Sequence, residues 1–117
     1  MATKTKPRAK RSATNQPPTR FQQFGKKYPA IMHAYESLGA ATAEAGPLDA
    51  KTRALVKLAI ATGAWREGAV HSHTRRALAA GCSPDEIRHV VLLATTTLGF
   101  PSMMAALTWV EDVLGRK

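Results

Sequence analysis

The sequence predicts an all-α fold: a compact bundle of five to six antiparallel helices that associates with copies of itself. Three observations carry this expectation. From Tyr28 onward apolar residues recur at helical spacing, and no segment shows the alternation of a half-buried strand. Each apolar run is bracketed by residues that start or stop helices. Finally, Val90, Val91, Leu92 and Leu93 are consecutive and cannot all face one stripe, so the helix that carries them is covered most of the way round. The 90 residues of the body are too few to surround it, which points to subunit association.

The elements follow in order. Tyr28-Pro29 suits a helix start with proline at the first position, and Gly46-Pro47 stops a segment whose stripe is Ala30, Ile31, Ala34, Leu38 and Ala41. Asp49 is placed to cap the next helix, marked by Leu55, Leu58, Ala59 and Thr62 and ending at Gly63. A third helix spans about Glu67 to Ala80, with Gly81 as its left-handed terminator. Ser83-Pro84-Asp85-Glu86 is a capping box that opens a long fourth helix through Ile87, Val90, Val91, Leu93 and Ala94. Gly99-Phe100-Pro101 breaks the chain before a last helix through Met104, Leu107, Trp109, Val110 and Leu114.

The net charge of +9 is unevenly spread. Eight lysines and arginines precede the first acidic residue, which leaves nine basic and eight acidic residues from Tyr28 to Lys117. The body is thus nearly neutral. Residues 1–20 are basic, carry Pro7, Pro17 and Pro18 and lack large aliphatic residues after Met1, so they read as a disordered basic arm ahead of one helical domain at 21–117. Any nucleic-acid binding falls to residues 1–20 alone. No secretory h-region is present, and the most apolar stretch, Val90 to Phe100, is too short to span a bilayer, so the expected location is cytoplasmic with no membrane span. A single cysteine, Cys82, rules out an intrachain disulfide.

The chemistry concentrates in Arg66-Glu67-Gly68-Ala69-Val70-His71-Ser72-His73. At 100° per residue the two histidines are about 200° apart and cannot chelate one ion from a regular helix. Glu67 and His71 share a face. With Val70, Thr74, Ala77 and Gly81 at the centre of the buried stripe, His73 lies at one edge and His71 at the other, while Ser72, Arg75, Arg76 and Ala79 look at solvent. Further metal ligands would have to come from His33, His89 or scattered acids, and neither a metal nor a cofactor is expected. The stretch RALAAGCSPDEI has the rhythm of a DNA-reading helix-turn-helix, but its second helix opens on Asp85-Glu86 and turns apolar, which suits neither phosphates nor base edges.

From Leu48 onward the chain resembles the carboxymuconolactone decarboxylase family, in its alkylhydroperoxidase D-like branch. LDAKTRALVKLAIA and EGAVHSHTRRALAAGCSPDEIRHVVLLATTTLGFP carry the resemblance, with seven residues between His73 and Gly81 and the S-P-x-E-I helix start after them. It implies a small helical bundle that forms homotrimers or homohexamers, with subunit contacts building part of each pocket. The family's peroxidase branch has Cys-x-x-Cys-x-x-x-His here, with a glutamate further upstream. In this chain Arg66 and Ala69 stand at the cysteine positions and Ala54 at the glutamate position. Peroxiredoxin-like chemistry therefore lacks its thiol pair, and Cys82 alone, just past the cap, reads as a turn residue.

What remains is the decarboxylase repertoire, which the resemblance describes as free of metal and cofactor and acting by acid/base chemistry on a lactone carboxylate. His73 is the expected proton donor, Glu67 or His71 its pocket companion, and Arg66 the candidate anchor for a small carboxylated substrate. Decarboxylase members often carry a glutamate four residues before the histidine, where this chain has Ala69. Two other expectations stand beside this one: a non-catalytic homo-oligomer whose basic arm binds an acidic partner, and a peroxidase relying on Cys82.

Overall fold

The computed structural model describes residues 16–115. They form six α-helices: α1 (Thr19–Lys27), α2 (Pro29–Ala43), α3 (Ala50–Gly63), α4 (Glu67–Ala79), α5 (Pro84–Leu92) and α6 (Phe100–Leu114), with a 3-10 turn at Leu93–Thr96. No strand occurs among the described residues. Residues 1–15 of the expected arm lie outside this range, and its last two residues, Thr19 and Arg20, open α1. None of the six helices is long and apolar enough to cross a membrane.

The local signals act where expected. The Asp49 carboxylate accepts from the Thr52 N–H at 2.9 Å and starts α3. At Ser83 both halves of the capping box form: the Glu86 N–H donates to Ser83 Oγ at 3.0 Å, and the Ser83 N–H donates to Glu86 Oε1 at 2.8 Å. After α4, Gly81 takes φ +95°, and the N–H groups of Gly81 and Cys82 reach back to the carbonyls of Leu78 and Ala77. A left-handed residue here satisfies carbonyls that the helix end would otherwise strand. The same arrangement closes α3, where the left-handed residue is Trp65, at φ 59°. A side chain there costs on the order of 1–2 kcal/mol. The Trp65 indole meets Trp109 edge-on at 5.5 Å, a contact that offsets part of that cost.

The buried core is largely aliphatic. Leu58, Ala61 and Thr62 of α3 face Val70, Thr74 and Ala77 of α4, and Met103, Ala106 and Val110 of α6 close the other side with Ile87 and Val91 of α5. Both buried threonine hydroxyls donate within their own helices, Thr62 to the Leu58 carbonyl and Thr74 to that of Val70. A bidentate pair ties α5 to α6: Arg88 Nε and Nη2 donate to the two Glu111 oxygens at 2.7 and 3.1 Å.

The expected long fourth helix is shorter than its apolar run. It stops at Leu92, and the chain tightens through Leu93–Thr96. The Thr95 hydroxyl donates to the Leu92 carbonyl, and the Ala94 carbonyl accepts from Thr97, Leu98 and Gly99. Three consecutive threonines offer the backbone these competing bonds and lose rotamer freedom in a helix. Val91 is fully buried, whereas Leu92 and Leu93 remain 47% and 62% exposed. The helix α2 buries no residue at all, with Ile31 at 56% and Leu38 at 63% exposure.

Candidate active site

Helix α4 presents different chemistry on each flank, as its register requires. On the side toward α6, His71 Nε2 lies 3.1 Å from Asp112 Oδ2 and 3.9 Å from Glu67 Oε2. The His71 and Asp112 side chains are only 14% and 19% exposed, so this pair is partly shielded from water while Glu67 stays at the surface. The three groups place ligand-type atoms within 4.8 Å of one another and could hold a metal ion. Asp112 lies 41 residues from His71, and no local spacing in the sequence announces it.

On the opposite flank His73 enters a groove of about 750 Å³ between α2 and the α3–α4 pair. Tyr35, Leu38 and Val56 give it apolar walls, and Arg53, Lys57 and Arg76 bring three cations to it. Glu36 is the acid on its rim. Burial of the His73 imidazole, reinforced by the charges of Lys57 and Arg76, pushes its pKa below the ordinary 6.5. At neutral pH the ring is therefore uncharged. Ala54 also lines this groove.

The expected site residues are thus divided. His73 stands in the groove, Glu67 and His71 stand together on the other flank with Asp112, and Arg66 sits at the exposed N-cap of α4, outside the set that lines the groove. Arg53, Lys57 and Arg76 were not singled out from the sequence. Their signal is the i, i+4 spacing of Arg53 and Lys57 on α3, which gains meaning only once α4 is packed beside it.

Cys82 is buried beyond the α4 terminus, with Sγ 3.8 Å from the Lys51 carbonyl oxygen, and does not line the groove. Burial, and then the Glu86 charge, raises its pKa. The outward face of α4 also differs from expectation. Ser72 and Arg75 are half-buried and line a second cavity opposite Phe21 and Tyr35, because α1 and α2 lie across that face.

Comparison with known proteins agrees with this architecture. The family model of the carboxymuconolactone decarboxylase family matches residues 29–112, from the start of α2 to Asp112 in α6. The chain belongs to that family. A crystal structure of the apo form of a carboxymuconolactone decarboxylase family protein from Legionella pneumophila superposes with a TM-score of 0.74 at 25% identity, covering 92% of this chain and 96% of that one. An uncharacterized protein of Haemophilus influenzae is 46% identical over 57 residues, which are 49% of this chain and 50% of that protein. The chain thus spans about half the length of the curated relative it matches.

Proposed function

We propose that the protein is an acid/base enzyme, needing no cofactor, that acts on a small carboxylated or lactone metabolite held in the His73 groove. The observation that carries this reading is an imidazole kept neutral inside a cavity whose charged walls are mainly cationic. A neutral imidazole begins the cycle as a base. It takes a proton from the substrate, becomes imidazolium, and returns the proton where bond cleavage or loss of CO2 leaves electron density. Lys57 and Arg76 hold the substrate carboxylate, the part that the sequence suggested for Arg66, and Arg53 adds to the positive field. The volume lies in the range of small-molecule pockets, roughly 300–1,000 Å³.

Glu67 and His71 serve in this proposal as a brace between α4 and α6 through Asp112. The groove is completed by neighbouring subunits of a homotrimer or homohexamer, a reading supported by the uncovered Ile31 and Leu38 of α2. A thiol peroxidase is disfavoured because Cys82 is not among the described residues that line the groove and because burial raises its pKa.

The test is exchange of substrate C–H for deuterium in D2O, followed by NMR across a panel of small lactones and carboxylates. His73→Ala is expected to abolish exchange and turnover while helicity and mass persist, and Lys57→Met to raise KM for carboxylated substrates. Undiminished exchange in His73→Ala refutes the assignment.

A further inference from the structure

Three donor groups meet where α4 packs against α6. Glu67 and His71 stand one turn apart on α4, and Asp112 reaches them from the last turn of α6. His71 Nε2 lies 3.1 Å from Asp112 Oδ2 and 3.9 Å from Glu67 Oε2, and the three groups bring ligand-type atoms within 4.8 Å of one another. Around a tetrahedral ion with bonds of about 2.1 Å, neighbouring donors stand roughly 3.4 Å apart. The two separations at His71 bracket that distance. Glu67 is the adjustable member, because its side chain is 58% exposed and can swing toward an ion without disturbing the core.

The chemistry of the set narrows the occupant. Two carboxylates cancel the charge of a divalent cation, so a partly shielded site is left neutral on binding. The ion takes the place of the proton between Nε2 and Oδ2, with the imidazole neutral and its own proton on Nδ1. An imidazole favours zinc and its neighbours over magnesium and calcium, which take oxygen donors. A nitrogen donor held by an acid from another helix also distinguishes this set from a patch of surface acids. Access is open on one side only: the His71 and Asp112 side chains are largely covered, and the exposed Glu67 marks the way in from water.

We propose that Glu67, His71 and Asp112 bind a zinc ion, with water as the fourth ligand, and that the ion clips α4 to α6. Its role is structural. None of the three residues lines the His73 groove, so the site stands or falls apart from the chemistry proposed there.

Isothermal titration of the full, untagged chain with zinc chloride, after EDTA has stripped any bound metal, tests it. Saturable binding of one ion per chain is expected. His71→Ala, Asp112→Asn and Glu67→Ala should each weaken it by about tenfold or more. Glu67→Ala changes an exposed position and should keep the natural helicity, so it decides the matter even where His71→Ala misfolds. Replacing His33 and His89 together by alanine removes two exposed histidines elsewhere and should leave zinc affinity unchanged. Equimolar magnesium should not compete. Absence of zinc binding, natural affinity in Glu67→Ala, loss of binding in the His33 and His89 double variant, or displacement by equimolar magnesium would each overturn the proposal.

Discussion

Leu93→Glu is the sharpest test of the proposed assembly. Leu93 is 62% exposed in the single chain, and Leu92, Leu98, Phe100 and Met104 are exposed with it. Fully burying a leucine is worth about 1.5–3 kcal/mol, so covering the exposed share of Leu93 in a contact between subunits contributes roughly 1–2 kcal/mol per subunit. Glutamate forfeits that amount and adds a carboxylate that must shed water, an effective cost of several kcal/mol when unpaired. With a factor of ten for each 1.4 kcal/mol, the association constant should fall by about three orders of magnitude or more. Because the side chain contacts mostly solvent within one chain, the folded subunit should lose little stability of its own. Sedimentation velocity across micromolar concentrations reads the outcome: a trimer or hexamer for the natural chain, and smaller species with unchanged helicity for the variant. A natural chain that sediments as a monomer, or a variant that assembles as well as the natural chain, refutes the reasoning.

Other outcomes follow from single residues. The His73 pKa is lower folded than unfolded, so between that lowered value and 6.5 the unfolded chain binds a proton that the folded chain does not. Stability should therefore be full above pH 6.5 and decline as the pH falls through this window, and His73→Gln should flatten the slope in chemical denaturation; an equal slope in the variant counts against a buried neutral imidazole. Cys82, buried and with its thiolate disfavoured, should label slowly with iodoacetamide until the protein unfolds, and Cys82→Ser should consume peroxide no differently from the natural chain. Rapid native labelling, or loss of a peroxidase activity in Cys82→Ser, would restore the thiol reading. Leu58 is wholly buried at the centre of α3, and Leu58→Ala should cost about 2–5 kcal/mol in the denaturation midpoint; a smaller loss would mean that α3 is loosely packed against α4.

The features legible in the sequence are those whose partners lie within one helical turn. Asp49, Gly81 and the Ser83–Glu86 box each act through bonds that span three to five residues, so the residue type and its offset suffice to locate them. Helix α1 was hidden because its charge and flanking prolines resemble the arm before it. Phe21, Phe24 and Tyr28 nevertheless recur at helical spacing, and the Phe24 and Tyr28 rings meet at 5.3 Å. The separation of His71 from His73 was also legible, since it depends only on helix geometry. What each histidine faces was not, because Asp112 and Lys57 come from helices whose placement is decided by packing.

That packing gives α4 an uncommon position for a helix with so many polar residues. A surface helix ordinarily has one dry stripe and one wet face. Here Val70, Thr74 and Ala77 form the dry stripe, His71 turns to α6, His73 turns to the groove, and Ser72 and Arg75 lie beneath α1 and α2. Each polar side chain is therefore moved partway out of water, and each must find a partner or bear a desolvation cost. His71 finds Asp112, whereas His73 meets that cost by staying neutral and Arg75 Nη1 has no acceptor among the described residues. Alanine at position 73 would leave the buried stripe of Val70, Thr74 and Ala77 intact, so a half-buried imidazole in the groove is the physical ground for seeking a ligand there first.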